Sequence, residues 1–305
     1  MRAADIAQIR RFNRAVAEGI GALQEQYLGR GRPMAEARLL WEIGEDGADI
    51  RELRDRLGLD AGYLSRLLRS LERQKLVHVR GTTDDRRVRR VALTAKGRRE
   101  RAVLDSRSDA VAERMLQPLT ERQRVSFLAA VAEVERLLQA SMVQFTVERP
   151  TSKDARWCLA QYYEELNERF DSGFDLDAAL PVEQHELSPP GGALILARLH
   201  GQPVGCGIVK TPRRRPAYIK RMWVAPNARG LGIGRRLLAE LEDHAWRTGA
   251  ACVQLETNRA LEEAIALYRQ SGYAEVAAFN DEPYADHWFE KARPLATRLD
   301  RGTTP

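Results

Sequence analysis

The spacing of apolar residues changes character near residue 146. Upstream, apolar side chains recur every three or four positions, as in Ile6, Ile9, Phe12, Val16, Ile20, Leu23 and Tyr27, the period of helices that bury one face. Downstream, short apolar runs such as Ala193 to Leu199 and Tyr218 to Val224 alternate with helical stretches, the pattern of strands and helices packed in layers. A chain of 305 residues is also longer than one core usually grows, about 250 to 300 residues. We therefore expect two domains: residues 1–145, mainly α, and residues 146–305, an α/β domain with a mixed sheet. No Gly/Ser-rich linker separates them, and the helix carrying Val131, Val134, Leu138, Met142 and Phe145 runs almost directly into Thr146.

The first half predicts a long helix over about 5–28 and a second helix through Trp41, ended by Gly44 and Gly47. Short helices follow over roughly 49–57 and 60–74, the latter capped by Asp60. Residues 76–80 and 87–93 read as strands around a polar tip at 81–86. Two long helices come next, one capped by Thr94 and closed by Pro118, the other starting at Thr120 and reaching about Phe145. Basic charge is concentrated here: residues 1–145 hold 28 Lys and Arg against 21 Asp and Glu, the remainder 21 against 22, and 51–101 alone 16 against 7. Such a local excess suits a polyanion, most simply double-stranded DNA, although a solvated surface rich in arginine would read the same way. In the 60–74 helix, Leu64, Leu67, Leu68 and Leu71 share a face and leave Tyr63, Ser65, Arg66, Arg69 and Arg73 pointing outward, as a major groove accepts. The hairpin behind it adds Arg86 and Arg87, with Arg80, Arg89 and Arg90, suited to phosphate or minor-groove contact.

Leu71-Glu72-Arg73 leading to Leu76-Val77, then Asp84-Asp85-Arg86-Arg87 and Leu93-Thr94-Ala95-Lys96-Gly97, resemble the MarR family of winged helix-turn-helix transcriptional regulators over about residues 5–145. The resemblance implies a DNA-binding homodimer whose first and last helices, here 5–28 and 120–145, form the interface. Lys75 stands where the family usually has glycine; a left-handed backbone there costs a non-glycine residue roughly 1 kcal/mol.

The second half predicts strands at 145–149, 193–199, 203–210, 218–224 and 251–256, helices at 153–170, up to about 248, and 260–271, and two closing strands. Arg229-Gly230-Leu231-Gly232-Ile233-Gly234 lies between a strand and a helix, where backbone N–H groups and a helix N-terminus can face a phosphate. A P-loop would need a Gly-Lys-Ser/Thr ending, which is absent. A dinucleotide fingerprint would need glycine where Arg235 stands, although Glu256 lies about where a ribose-binding acid would. The third reading is a resemblance. Arg229, Gly232 and Gly234 fit the pyrophosphate loop of the GNAT acetyltransferases, and Leu255 to Asn258 with Ala264 to Tyr268 and Gly272-Tyr273 are similar to that superfamily's second CoA-binding segment, over about 146–292. The resemblance implies acetyl-CoA as donor and an amine as acceptor. It assigns Met222, Trp223 and Val224 to the pantetheine arm and Arg229, Gly230, Leu231, Gly232, Ile233, Gly234 and Arg235 to the pyrophosphate. Asn258 falls in the second segment, and Tyr268 where the superfamily places a tyrosine near the thiol.

Acetyl transfer to an amine needs a neutral amine, a stabilised oxyanion and a proton for the departing thiolate. Tyr268 is the candidate acid; a core tyrosine is the alternative, because Leu261, Ile265 and Tyr268 share an apolar helical face. Several relatives carry a glutamate where Tyr218 stands, so the candidate base moves to Glu256 or a water wire, with a surface strand-end carboxylate as the other reading of Glu256. The segment Phe279 to Phe289 resembles a substrate-side segment of some relatives and reads equally well as a turn before the last strand. Cys158, Cys206 and Cys252 lack metal-ligand spacing and His287 has no clear metal partner, so no metal is expected. No run is long and apolar enough for a membrane span or a signal peptide, which points to a cytoplasmic, nucleoid-associated protein. The expectation is a bifunctional regulator and N-acetyltransferase acting on an amine of a small molecule, amino acid or peptide. The alternatives are a transcription factor that senses acetyl-CoA without turnover, and an enzyme whose winged helix serves only to dimerise.

Overall fold

The computed structural model describes residues 2–21, 27–81, 89–180, 184–212 and 216–294. The chain divides into two compact units, Met1–Val134 and Glu135–Pro305.

In the first unit the elements are α1 (Ala3–Gly19), α2 (Met34–Ile43), β1 (Ala48–Asp49), α3 (Ile50–Leu57), α4 (Ala61–Arg73), β2 (Val77–Gly81), β3 (Arg89–Leu93), α5 (Ala95–Leu116) and α6 (Glu121–Met142). The first helix is shorter than expected. It stops at Gly19, with Ile20 as its C-cap, and Gly21 takes φ 67; residues 22–26 of the expected 5–28 helix lie outside the described residues. Caps fix the two short helices: the Asp49 carboxylate accepts from the backbone N–H of Arg51 and Glu52, and that of Asp60 from Tyr63 N at 2.8 Å. Lys75 takes φ 60, the left-handed conformation expected at that position. Strands β2 and β3 pair antiparallel, with β1 on the outer side of β3. The turn into α5 explains its glycine: a Cβ on Gly97 would stand 2.0 Å from Leu76 O, so only glycine lets α5 start against the hairpin. The core joins Leu39, Leu40, Leu53, Leu64, Leu71, Val91 and Leu104. Neither α1 nor α6 buries a residue, and Ile6, Ile9, Phe12, Val125, Val131 and Leu138 are exposed.

The boundary between the units falls inside α6 rather than after it. The last turns of α6 belong to the second unit, within which Arg236 donates to Ala140 O and to Val143 O at 2.9 Å and Arg136 donates to Gly230 O at 2.7 Å.

The second unit contains β4 (Gln144–Glu148), α7 (Lys153–Arg169), β5 (Gly192–Leu199), β6 (Gln202–Lys210), β7 (Ala217–Val224), α8 (Ile233–Arg247), β8 (Cys252–Thr257), α9 (Glu262–Gln270), β9 (Ala274–Val276) and β10 (His287–Ala292). Among the described residues these strands form one sheet, ordered β4-β5-β6-β7-β8-β10-β9, antiparallel except for β7 beside β8. Side chains alternate across it. Leu194 and Leu196 join a core with Ile208, Trp223 and Ile233, while Ala193 and Ile195 join another with Val209, Leu237, Leu241 and Phe289, so both faces are covered.

Two features open the sheet at its middle. The parallel strands β7 and β8 pair only at Ala217 with Val253 and Tyr218 with Gln254, so β7 leaves its neighbour beyond Tyr218. On the β6 side the register slips between the pairs Cys206 with Trp223 and Ile208 with Lys220. The extra residue on β7 puts Arg221 at φ 55, a conformation that costs a non-glycine residue on the order of 1 kcal/mol. No helix among the described residues is long and apolar enough to cross a membrane.

Candidate functional site

On the first unit, the polar face of α4 is free. Tyr63, Ser65, Arg66, Arg69 and Arg73 are exposed, while Leu64, Leu68 and Leu71 are buried and Leu67 is half-buried. The Arg66 guanidinium lies 5.7 Å from the centre of the Tyr63 ring, and Arg69 Nε donates to Ser65 O at 3.2 Å, which holds both cations against their own helix. Arg90 donates to Asp46 O at 3.3 Å and so braces the hairpin. Arg86 and Arg87 lie outside the described residues.

In the second unit, a channel begins at the glycine-rich turn and a cavity lies next to it. Gly230 and Gly232 take φ 78 and 71, and neither would have an atom within 4 Å of an added Cβ; the left-handed turn turns the first N–H groups of α8 outward. No side chain caps α8. That leaves the positive end of a 15-residue helix ready for an anion. The channel is lined by Met222, Trp223 and Val224, by Arg229, Gly230, Gly232, Ile233, Gly234 and Arg235, and by Leu261, Ala264 and Leu267. Beyond Tyr218 the β8-facing edge of β7 is unpaired, so its backbone can pair with an extended chain. These features fit the pyrophosphate and pantetheine of CoA.

Two residues expected on the donor side do not turn their side chains to the channel. The Leu231 side chain is buried in the core, which leaves its backbone N–H as the group this residue can offer a ligand at the turn. Asn258 lines the adjacent cavity, where its Nδ2 donates to Tyr284 O at 2.8 Å and its Oδ1 accepts from Ala260 N at 2.9 Å; its amide is used to hold the loop. Arg229 donates to Val224 O at 3.1 Å and pairs with Glu165 at 2.5 Å, and Trp223 Nε1 donates to the same carboxylate at 2.8 Å.

The adjacent cavity gathers the chemistry. Tyr162, Leu166, Met222, Leu261 and Ala264 line both it and the channel, so the two spaces share a wall. Tyr268 lines the cavity; burial pushes its phenol above the usual value, so the hydroxyl stays protonated, and it has no hydrogen-bond partner among the described residues. Glu256 is not a surface carboxylate: its side chain is 6% exposed. The Tyr218 hydroxyl donates to Glu256 Oε2, and Asn280 Nδ2 donates to Tyr218 at 2.7 Å. Burial raises the Glu256 pKa against the opposing pull of Lys220 and Tyr218. Lys220 Nζ stands 3.5 Å from Glu256 and 2.9 Å from Glu282.

Several of these residues were not singled out from sequence: Tyr162, Lys220, Arg221, Glu282 and Tyr284. The last two come from the polar-aromatic segment 279–289, which in sequence reads equally well as a substrate-side segment or a turn; both line the cavity. Among the described residues, no group of three or more His, Cys, Asp or Glu could hold a metal ion.

Residues 159–273 match the Acetyltransferase (GNAT) family and residues 30–88 the MarR family. Over 127 residues the chain is 35% identical to an IAA acetyltransferase of Azospirillum brasilense, covering 41% of this chain and 82% of that one. Over 94 residues it is 36% identical to the N-alpha-acetyltransferase RimI of Mycobacterium tuberculosis, covering 30% of this chain and 58% of that one. Among solved structures, an acetyltransferase of the GNAT family from Staphylococcus aureus is similar at 17% identity and a TM-score of 0.42, over 49% of this chain and 98% of that one. By the family match and the 35% identity to the IAA acetyltransferase, the chain belongs to the GNAT acetyltransferase family: it is an acetyl-CoA-dependent N-acetyltransferase that carries a MarR-family domain of DNA-binding transcription regulators ahead of it.

Proposed function

We propose that the chain is a homodimeric, cytoplasmic regulator that binds double-stranded DNA and also transfers acetyl groups to an acceptor amine. The observation that carries the enzymatic half is the wall shared by the channel and the Glu256 cavity, since transfer requires donor and acceptor to meet with a base and an acid at hand. Acetyl-CoA supplies the activated acetyl thioester. The N-terminus of α8, with Gly230, Gly232 and Arg235, holds the pyrophosphate, and the β7 edge at Met222 to Val224 aligns the arm. Glu256, made more basic by burial, takes the proton that the acceptor ammonium must lose. Tyr268 supplies a proton to the sulfur as the C–N bond forms and the C–S bond breaks, and it regains one from solvent. The balance is one ammonium and one thioester converted to one amide, one thiol and one proton.

On the DNA side, Tyr63, Ser65, Arg66, Arg69 and Arg73 form the groove-reading face of α4, and the basic charge of Arg86 and Arg87 adds to the attraction for phosphate. The exposed apolar rows of α1 and α6 are the surfaces that a second copy covers, since contiguous apolar patches of this kind mark association sites.

Thiol release from acetyl-CoA with a panel of amines, amino acids and peptides tests the enzymatic reading. For the accepted amine, Glu256→Gln is expected to lower kcat about 100-fold or more while acetyl-CoA still binds. Binding of acetyl-CoA with no thiol release from any amine would instead make the domain a sensor.

A further inference from the structure

The acceptor cavity holds more charge than transfer to a simple amine requires. In a regular strand Lys220 and Arg221 would face opposite sides of the sheet; across the β7 bulge both line the same cavity. The two cations differ in how they are used. Lys220 is paired with Glu256 and Glu282. Arg221 has no carboxylate and no side-chain hydrogen bond among the described residues. Its guanidinium lies over the Tyr163 ring at 5.3 Å, Tyr163 stacks on Phe174 at 5.8 Å, and Phe174 meets Tyr284 at 4.9 Å. Stacking fixes the plane of a guanidinium and leaves its fork of N–H donors unspent, and such a fork matches a carboxylate in shape and charge.

The anionic side has a vacancy of the opposite kind. Glu282 is 7% exposed in its side chain, and while Oε2 accepts from Lys220 at 2.9 Å and from Leu180 N at 3.2 Å, Oε1 is buried with no partner among the described residues. A buried acceptor of this kind calls for a donor. With Glu256 ionised, the two carboxylates and two cations of the cavity cancel, which suits a ligand that carries one charge of each sign and none net. Phe174 and Tyr284 add an apolar face beside them.

We infer that the acceptor is the free α-amino group of an α-amino acid with an apolar or aromatic side chain, its carboxylate held by Arg221, its ammonium between Glu256 and Glu282, and its side chain against Phe174 and Tyr284. This rests on the acetyl-transfer reading above. Arg221 is then the residue that sets specificity, and amines with no neighbouring carboxylate, peptide N-termini included, are poor acceptors.

Thiol release by the full chain compares L-phenylalanine and L-leucine with phenethylamine and L-phenylalaninamide, which keep the amine and lose the anion. The amino acids are expected to exceed the other two in kcat/KM by about 100-fold or more. Arg221→Met raises the KM for the amino acids about 100-fold with little change in kcat, leaves phenethylamine as slow as with the parent, and is partly rescued in Arg221→Lys. Calorimetric binding of acetyl-CoA reports whether each variant is folded, and Arg221→Lys carries the comparison if the methionine variant is not. Equal kcat/KM across the four acceptors, an equal loss for all of them in the variant, or no release from the amino acids although acetyl-CoA binds overturns the inference and leaves transfer to another amine standing. Failure of the parent chain to bind acetyl-CoA removes the reading on which it rests, and the inference with it.

Discussion

Replacing Gly232 by aspartate probes the donor site through charge with little disturbance of the fold. At φ 71 and with no atom within 4 Å of an added Cβ, a side chain here enters open space, and the left-handed backbone costs roughly 1 kcal/mol. A carboxylate at the N-terminus of α8 recovers about 0.3 to 1 kcal/mol from the helix dipole, so the variant should melt close to the parent. Its effect on the ligand is much larger. A carboxylate roughly 5 Å from a phosphate charge repels it by about 3 kcal/mol at an effective dielectric of about 20, which is about 150-fold in affinity. Calorimetric titration of acetyl-CoA into the parent, Gly232→Ala and Gly232→Asp separates the two costs. The alanine variant should lose about tenfold or less, and the aspartate variant about two orders of magnitude. If the two variants bind alike, the pyrophosphate does not sit at this turn.

For Tyr268→Phe, the expected outcome is unchanged acetyl-CoA affinity with kcat lowered about 100-fold; an unaltered kcat would confine the ring to its packing against Tyr273 and Phe289. In the first unit, the Arg30 hydrogen bond holds the Glu100 carboxyl below its usual value, and the Glu100 side chain, 10% exposed, also pairs with Arg32 at 3.1 Å. A depressed carboxylate pKa stabilises the fold above the unfolded value of about 4.3 and stops doing so as pH falls through the folded value. Glu100→Gln should therefore destabilise by about 3 kcal/mol at pH 7, and the gap between denaturant melts of parent and variant should hold down to about pH 4.3 and shrink as pH falls further through the folded value; a gap that does not shrink anywhere in the acid range would rule out the ion pair as its cause. Coupling is expected through α6, because Arg136 donates to Gly230 O in the pyrophosphate turn: saturating acetyl-CoA shifts DNA affinity by about 5-fold or more, and Arg136→Ala abolishes the shift. Superimposable titrations for the parent would leave two independent activities on one chain.

What the sequence revealed follows from the range of the interaction. Elements set by local chemistry were legible: Asp60 before its helix, the leucine face of α4, and the glycines that turn β7 into α8 each act within a few residues. The early end of α1 was not, because Leu23 and Tyr27 extend the apolar period past Gly19 and Gly21 and the period carries no penalty for glycine. The Arg221 bulge leaves no mark in Ile219-Lys220-Arg221-Met222-Trp223, since the extra residue exists only relative to β6. Glu256 was named as a base, but its burial comes from Tyr218 on the neighbouring strand and from Trp288 opposite it on β10. Glu282 reaches Lys220 from 62 positions away, a pairing no local pattern encodes.

The most direct test of a single chain with two activities is DNA affinity and thiol release measured on the same preparation. Fluorescence anisotropy of a double-stranded promoter fragment, titrated at several salt concentrations with the parent and with Arg66→Ala, is run beside thiol release from acetyl-CoA with the accepted amine. The parent is expected to do both, its DNA affinity falling steeply with salt as phosphate contacts are lost, and Arg66→Ala is expected to weaken DNA binding by about 1 to 3 kcal/mol with an unchanged acetylation rate. A parent that acetylates and does not hold DNA at any salt concentration would contradict the pairing of two activities on one chain.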